Sequence, residues 1–215
     1  RKKIKSTPKF VPAGQTTQMV IGAHQESDFD ILKMAEHHYQ QFKLRRVYYS
    51  GYIPINPTDN NLPAIGSAPP MIRENRLYQS DWLVRLYGFK TDESVNPANP
   101  HLDLDIDPKL SWALRNPQLF PIDLNTCEEY LIARVPGIGL KSAKKIAKAR
   151  KFGKIHVNQI KKMGIAFSRA QHFMVCVGHT HTQQDHDPLK LRQKIVTTQK
   201  SKYEPQLSPQ LSLGF

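Results

Sequence analysis

Cysteine is scarce in this chain of 215 residues, which contains only Cys127 and Cys176. Two cysteines so far apart form neither a disulfide framework nor a CxxC motif. The chain also lacks an apolar run near the roughly 18 residues of a membrane-spanning helix, and no charged-then-apolar segment opens it as a secretory signal would. We therefore expect a reducing, cytoplasmic setting and no membrane partner. Because the first residue is Arg1 rather than Met, we also expect this to be the later part of a longer protein.

Acidic residues are absent between Glu129 and Asp185, although that stretch holds eleven Lys or Arg residues. The whole chain has 31 Lys and Arg against 18 Asp and Glu, a formal net charge of +13. This balance favours a polyanionic partner, because each phosphate that a cation neutralises releases counterions. Four lysines recur at a spacing of three to four residues, which places them on one face of a helix. They are Lys141, Lys144, Lys145 and Lys148.

Apolar spacing in the first fifty residues predicts two strands and a helix. Residues 17–23 and 46–52 have the composition of buried strands. The segment between them has apolar residues at helical spacing, with Ser27 or Asp28 as its N-cap. A strand, a helix of about fifteen residues and a second strand form a βαβ unit, so the two strands are expected to be parallel.

The rest of the chain is predicted to be helical and then disordered. Residues 71–88 form a helix that Gly88 ends. Asp107 is the expected N-cap of the next helix, with Pro108 as its first residue. Beyond Gly178 the composition is polar and rich in Gln, His, Ser and Pro, which predicts a disordered tail. The helices expected in the second half are 108–116, 124–135, 140–151, 156–162 and 165–174.

The most specific pattern lies in residues 130–150, where Val135-Pro-Gly-Ile-Gly139 precedes a lysine-rich helix. This stretch resembles the helix-hairpin-helix motif. Glycines let the backbone turn with positive φ and approach a phosphate, and the N–H groups that open the next helix bind an anion. Ile138 would anchor the turn in the core, and Ala143 would permit a close helix crossing. The residues expected to bind DNA are Pro136, Gly137, Ile138, Gly139, Lys141, Ser142, Lys144, Lys145 and Lys148.

Other interpretations of this region stay open. The turn could be a plain corner between two helices, without a ligand. Residues 160–170 resemble a second, degenerate copy of the motif with one glycine missing, and this copy either contacts phosphate or only packs. Lys141 also lies where helix-hairpin-helix DNA glycosylases keep a Schiff-base nucleophile. Those enzymes need an aspartate about eighteen residues further on, and residues 157–159 supply no carboxylate.

The first fifty residues resemble the last strands of a radical S-adenosylmethionine (radical-SAM) β/α barrel. In that family, one strand packs along the adenosyl group of the cofactor. The residues of this chain that match that strand element are Ile21, Gly22, Ala23 and Glu26. The order of segments is similar to that in radical-SAM proteins assigned to DNA modification or repair. The resemblance implies S-adenosylmethionine and a [4Fe–4S] cluster as cofactors of the full-length protein. The CxxxCxxC triplet that holds such a cluster is absent, so we expect no metal ligands and no catalytic residue in this chain.

These expectations together give an α+β fold in four segments. Residues 1–55 would be the end of a radical-SAM-type barrel, 56–107 a connector with one helix, 108–177 an all-helical helix-hairpin-helix domain, and 178–215 a disordered tail. The expected function is that of the DNA-binding part of a radical-SAM DNA modification or repair protein, inactive by itself. The alternatives are a non-enzymatic DNA-binding or scaffold protein and, with weaker support, a glycosylase. The expected partners are DNA and a DNA-repair enzyme.

Overall fold

The computed structural model describes residues 11–54, 63, 69–180 and 187–203. The chain divides into two compact units, which we call unit 1 (Arg1–Trp112) and unit 2 (Ala113–Phe215). No helix in these described ranges is long and apolar enough to cross a membrane.

Unit 1 begins with a parallel βαβ unit, as the sequence predicts. Strand β1 (Thr16–Ile21) and strand β2 (Arg46–Gly51) pair in parallel, with Thr16 opposite Arg46 and Ile21 opposite Gly51. Helix α1 (Asp28–Gln41) connects them. Strand β1 ends earlier than expected because Gly22 turns the backbone with a φ of +77°. The core of this unit contains Ile21, Ile31, Leu32, Ala35, Val47, Tyr49, Leu77, Val95 and Leu102.

Capping residues mark the start of one helix and the end of another in unit 1. Ser27 is the N-cap of α1, and it forms a capping box with Asp30. Helix α2 (Met71–Tyr87) ends at Gly88, whose φ of +70° is the left-handed conformation expected of a C-terminal glycine. A short helix, α3 (Thr91–Ser94), follows.

Side chains close the outer edge of β2. The Tyr78 hydroxyl of α2 accepts the Tyr49 N–H at 2.9 Å and donates to the Tyr49 carbonyl at 3.1 Å. The Glu74 carboxylate accepts the Gly51 N–H at 2.7 Å. These contacts satisfy backbone groups that a neighbouring strand would otherwise pair.

Unit 2 contains short strands as well as helices, so the prediction of an all-helical domain is wrong. Helix α4 (Pro108–Arg115), capped by Asp107, leads into it through a 3₁₀ turn at Pro117–Leu119. The other elements in chain order are β3 (Ile122–Asp123), α5 (Glu129–Arg134), α6 (Leu140–Ala149), a 3₁₀ turn (Arg150–Phe152), α7 (Val157–Lys162), α8 (Phe167–Ala170) and β4 (Met174–Val175). Strands β3 and β4 pair in parallel. Strands of two residues are too short to show an alternating pattern in the sequence.

Two of the predicted helices are shorter than expected. The helix predicted over 124–135 begins only at Glu129, because the Asp123 carboxylate organises a turn before it. That carboxylate accepts the Asn125 N–H at 2.9 Å and the Thr126 hydroxyl at 3.0 Å. The helix predicted over 165–174 is reduced to α8, after which the chain turns into β4.

The predicted disordered tail is wrong for residues 188–203, which form helix α9 (Pro188–Tyr203). The Asp187 carboxylate caps it by accepting the N–H groups of Leu189 and Lys190 at 3.0 and 3.2 Å. Leu191 and Ile195, one turn apart, are buried. The remainder of the predicted tail, residues 181–186 and 204–215, lies outside the described residues.

Candidate nucleic-acid interface

The first hairpin turn, residues 135–139, joins α5 to α6. The Ile138 N–H donates to the Val135 carbonyl at 3.1 Å, which closes the turn. Gly137 has a φ of +87°, a conformation that favours glycine. Gly139 is the N-cap of α6 with φ −86° and ψ 166°, which any residue can adopt. The expectation of positive φ is therefore confirmed for Gly137 and wrong for Gly139.

Gly137 packs against the second hairpin turn, residues 163–166. A Cβ atom built on Gly137 would lie 2.7 Å from the Ala166 carbonyl oxygen and 3.2 Å from the Ala170 nitrogen. The Ala166 N–H also donates to the Gly137 carbonyl at 3.0 Å. The missing side chain at position 137 therefore allows the two turns to meet.

The second hairpin turn repeats the form of the first. Helices α5 and α7 each have six residues, and Gly164 turns with a φ of +72° where the first turn has Gly137. The predicted second copy of the motif thus has the expected helix–turn–helix form. Helix α8 has only four residues, so its start provides far fewer aligned peptide groups than the start of α6.

Three of the predicted contact residues direct their side chains inward. Pro136 and Ile138 are buried. Ser142 is buried too, and its single hydroxyl proton is shared between the carbonyls of Met163 and Gly164, at 3.2 and 3.4 Å from the hydroxyl oxygen. These three residues position the turn, and their side chains do not face outward toward a ligand.

The four lysines of α6 form one exposed surface, which we call the lysine face (Lys141, Lys144, Lys145 and Lys148). The opposite side of the helix is buried and consists of Ser142, Ala143, Ile146 and Ala147. The lysine face starts beside the first hairpin turn. Because the sequence has no acidic residue between Glu129 and Asp185, no carboxylate of that stretch neutralises this face.

The start of α6 carries free backbone donors. Among the described residues, the N–H groups of Gly139, Leu140 and Lys141 have no hydrogen-bond acceptor. The first N–H groups of a helix lie at the positive end of its dipole, where they bind anions. Free backbone donors therefore lie at the start of the helix that carries the lysine face.

Polar contacts that the sequence did not reveal hold the end of α6 and the connection that follows it. Arg150 donates to the carbonyls of Leu124 and Cys127. The Asn125 side chain accepts the Ile155 N–H at 2.7 Å. Arg150 is therefore a structural cation, although the sequence offers no signal that separates it from its basic neighbours.

Other basic residues of unit 2 remain exposed beyond the predicted set. Two follow α6 directly, in the connection to α7, and two lie at the end of α7. They are Lys151, Lys154, Lys161 and Lys162. They add four exposed positive charges to unit 2.

Comparison with known proteins identifies this region. Residues 120–163 match a protein family whose description is "Helix-hairpin-helix motif". Neither the curated proteins nor the solved structures contain a significant match to the chain. The chain thus contains a helix-hairpin-helix motif, a type of element that suggests nucleic-acid binding.

The residues predicted to pack along an adenosyl group lie at the end of β1. Ile21 is fully buried in the core, and Ala23 is partly buried in the turn that follows. The Gly22 N–H donates to the Glu26 carboxylate at 2.8 Å. A Cβ atom built on Gly22 would lie 3.0 Å from the ring of Pro69. The Gly22 N–H is thus paired within the chain, and Pro69 covers the glycine.

The cysteines of unit 2 do not fit an iron–sulfur cluster. Cys127 and Cys176 are free thiols, and burial raises the pKa of both. A raised pKa disfavours the thiolate, which is the form that binds iron. Two such thiols cannot supply the three ligands of the expected cluster.

Proposed function

We propose that this chain binds DNA through its sugar–phosphate backbone, without reading the base sequence. The free N–H groups at the start of α6 take one phosphate, and the lysine face neutralises the phosphates that follow. The observation that carries the proposal is the position of this face. Four exposed lysines lie on one side of α6, directly after the turn of a matched helix-hairpin-helix motif.

The proposed mode of binding follows from the kind of groups on this surface. Backbone N–H groups and lysine ammonium groups bind phosphate oxygens, which carry no sequence information. The lysine face has no Asn or Gln side chain, which would pair with adenine edges, and a lysine ammonium is a flexible point charge that lacks the rigid fork of arginine. We therefore expect the affinity for DNA to depend on the salt concentration rather than on the base sequence.

The test is fluorescence anisotropy with several unrelated duplexes of equal length. All duplexes should bind with similar affinity, and the logarithm of the binding constant should fall linearly with the logarithm of the salt concentration. A slope of about −0.9 is expected for each phosphate contacted. Strong discrimination between duplexes, or a flat salt dependence, would contradict the proposal. Tighter binding to duplex RNA would contradict DNA as the ligand.

The radical-SAM relationship stays a prediction about the full-length protein, and it rests on sequence resemblance alone. The βαβ unit of unit 1 also occurs in many other α/β folds. The two cysteines of this chain are fewer than the three cluster ligands, and the Gly22 N–H donates to the Glu26 carboxylate within the chain. The proposed DNA contact depends on none of them. A CxxxCxxC triplet in the sequence of the full-length protein would support the relationship.

A further inference from the structure

Phe152 is the most exposed large apolar side chain in the described residues, with 93% of its surface accessible. It ends the 3₁₀ turn that continues α6, and its neighbours Lys151 and Lys154 are exposed. The next residue, Gly153, is exposed, with no heavy atom within 4 Å of its ideal Cβ position. A phenylalanine in full contact with water is unusual, because phenylalanine is among the residue types most often buried in folded proteins.

Phe152 lies one 3₁₀ turn beyond the end of α6, the helix that carries the lysine face. Side chains three residues apart eclipse in a 3₁₀ turn, so Phe152 is in line with Ala149, at the edge of the lysine face. The rise per residue of α6 and of its 3₁₀ extension puts Phe152 roughly 20 Å from Gly139. That distance corresponds to about six nucleotides along one DNA strand.

We propose that Phe152 stacks on an unpaired DNA base about six nucleotides from the phosphate held by the first hairpin turn. This inference rests on the proposed function and adds the kind of DNA: a duplex next to a single-stranded gap. Aromatic side chains inside a basic surface bind single strands in this way, because every base offers a flat face for stacking. A fully paired duplex offers no such face to Phe152, since its bases are stacked on each other.

The test compares two DNA molecules of one sequence, a continuous duplex and the same duplex with a short single-stranded gap. The full chain should prefer the gapped DNA, and Phe152→Ala should weaken gapped binding by about 5- to 100-fold. Its binding to the continuous duplex should stay unchanged. Because the side chain is exposed, the variant should fold normally, which circular dichroism checks.

Two further substitutions of Phe152 distinguish aromatic stacking from general apolar contact. Phe152→Trp should keep the preference for gapped DNA, and Phe152→Leu should lose it. The matched control is Tyr130→Ala, which removes another exposed aromatic ring of unit 2 that lies beside Glu128 and Glu129. This control should bind both DNA molecules as the unaltered chain does.

The outcomes distinguish the two proposals. Equal loss of binding to both DNA molecules in Phe152→Ala, or no loss, would overturn stacking and leave phosphate binding in place. Retention of the preference by Phe152→Leu would also overturn stacking, because it would show that apolar contact with the gapped DNA is sufficient. If the unaltered chain binds neither DNA, the proposed function itself fails.

Discussion

Replacing Gly137 by alanine is expected to lower the free energy of unfolding of unit 2 by about 2–5 kcal/mol. Part of this loss is conformational, because a left-handed backbone costs an L-residue roughly 1–2 kcal/mol. The rest is steric. The new Cβ atom would lie 2.7 Å from the Ala166 carbonyl oxygen, and this backbone atom can move only if the second hairpin turn moves with it.

The matched control is Gly164→Ala in the second hairpin turn. Gly164 has a similar φ of +72°, but no heavy atom lies within 4 Å of its ideal Cβ position. We therefore expect Gly164→Ala to lower the free energy of unfolding only by the conformational part, about 1–2 kcal/mol. Hydrogen exchange of the α6 amides in increasing urea measures both losses. Equal losses in the two variants would show that the hairpin turns do not pack together as described.

This contact limits what glycine variants can reveal about binding. A bulky residue at position 137 disturbs the packing of the two turns, so it would reduce DNA binding even if the turn never touched a phosphate. The lysine face is a cleaner target. Its side chains are exposed, and among the described residues none of the four forms an ion pair.

Reversing two charges of the lysine face, with Lys144→Glu and Lys148→Glu together, is expected to weaken duplex binding about 50-fold at 0.1 M salt. At that ionic strength, counterion release contributes nearly tenfold for each phosphate contact. The salt slope should also become shallower by about two units. Fluorescence anisotropy over a salt series measures both quantities, and circular dichroism checks that the variant is folded.

The control variant carries Lys43→Glu and Lys90→Glu, two exposed lysines of unit 1. It changes the net charge by the same amount as the lysine-face variant. If binding depends on the local surface, the control should keep its salt slope and most of its affinity. Equal weakening of both variants would indicate that only the net charge matters, which would contradict the assignment of the contact to α6.

Much of the candidate site could be predicted because its signals are local. The turn of residues 135–139 and the periodic lysines of α6 are visible in twenty consecutive residues, and the parallel βαβ unit follows from hydrophobic patterning and connection length. Long-range contacts could not be predicted. Nothing near Ser142 in the sequence indicates that its hydroxyl bonds to Met163 and Gly164. The same is true of Gly137, whose neighbours are Ala166 and Ala170.

Two other differences from the prediction have separate causes. Helix α9 has Asp187 as its cap and Pro188 as its first residue. The same pair of residue types, Asp107 and Pro108, correctly predicted the start of α4. The polar composition around α9 concealed this signal. Phe152 is a different case, because an aromatic residue after a helix is ordinarily expected in the core. Only the structure shows that its ring is exposed.

The most direct measurement of the proposed interface is chemical-shift mapping by NMR during titration with a short DNA duplex. The account predicts that the largest changes occur at the amides of Gly139, Leu140 and Lys141 and along the lysine face. Added salt should reverse these changes. The amides of unit 1 should change little. Changes centred on unit 1, or no change at the start of α6 when the duplex is bound, would contradict the central claim that this helix-hairpin-helix motif holds the DNA backbone.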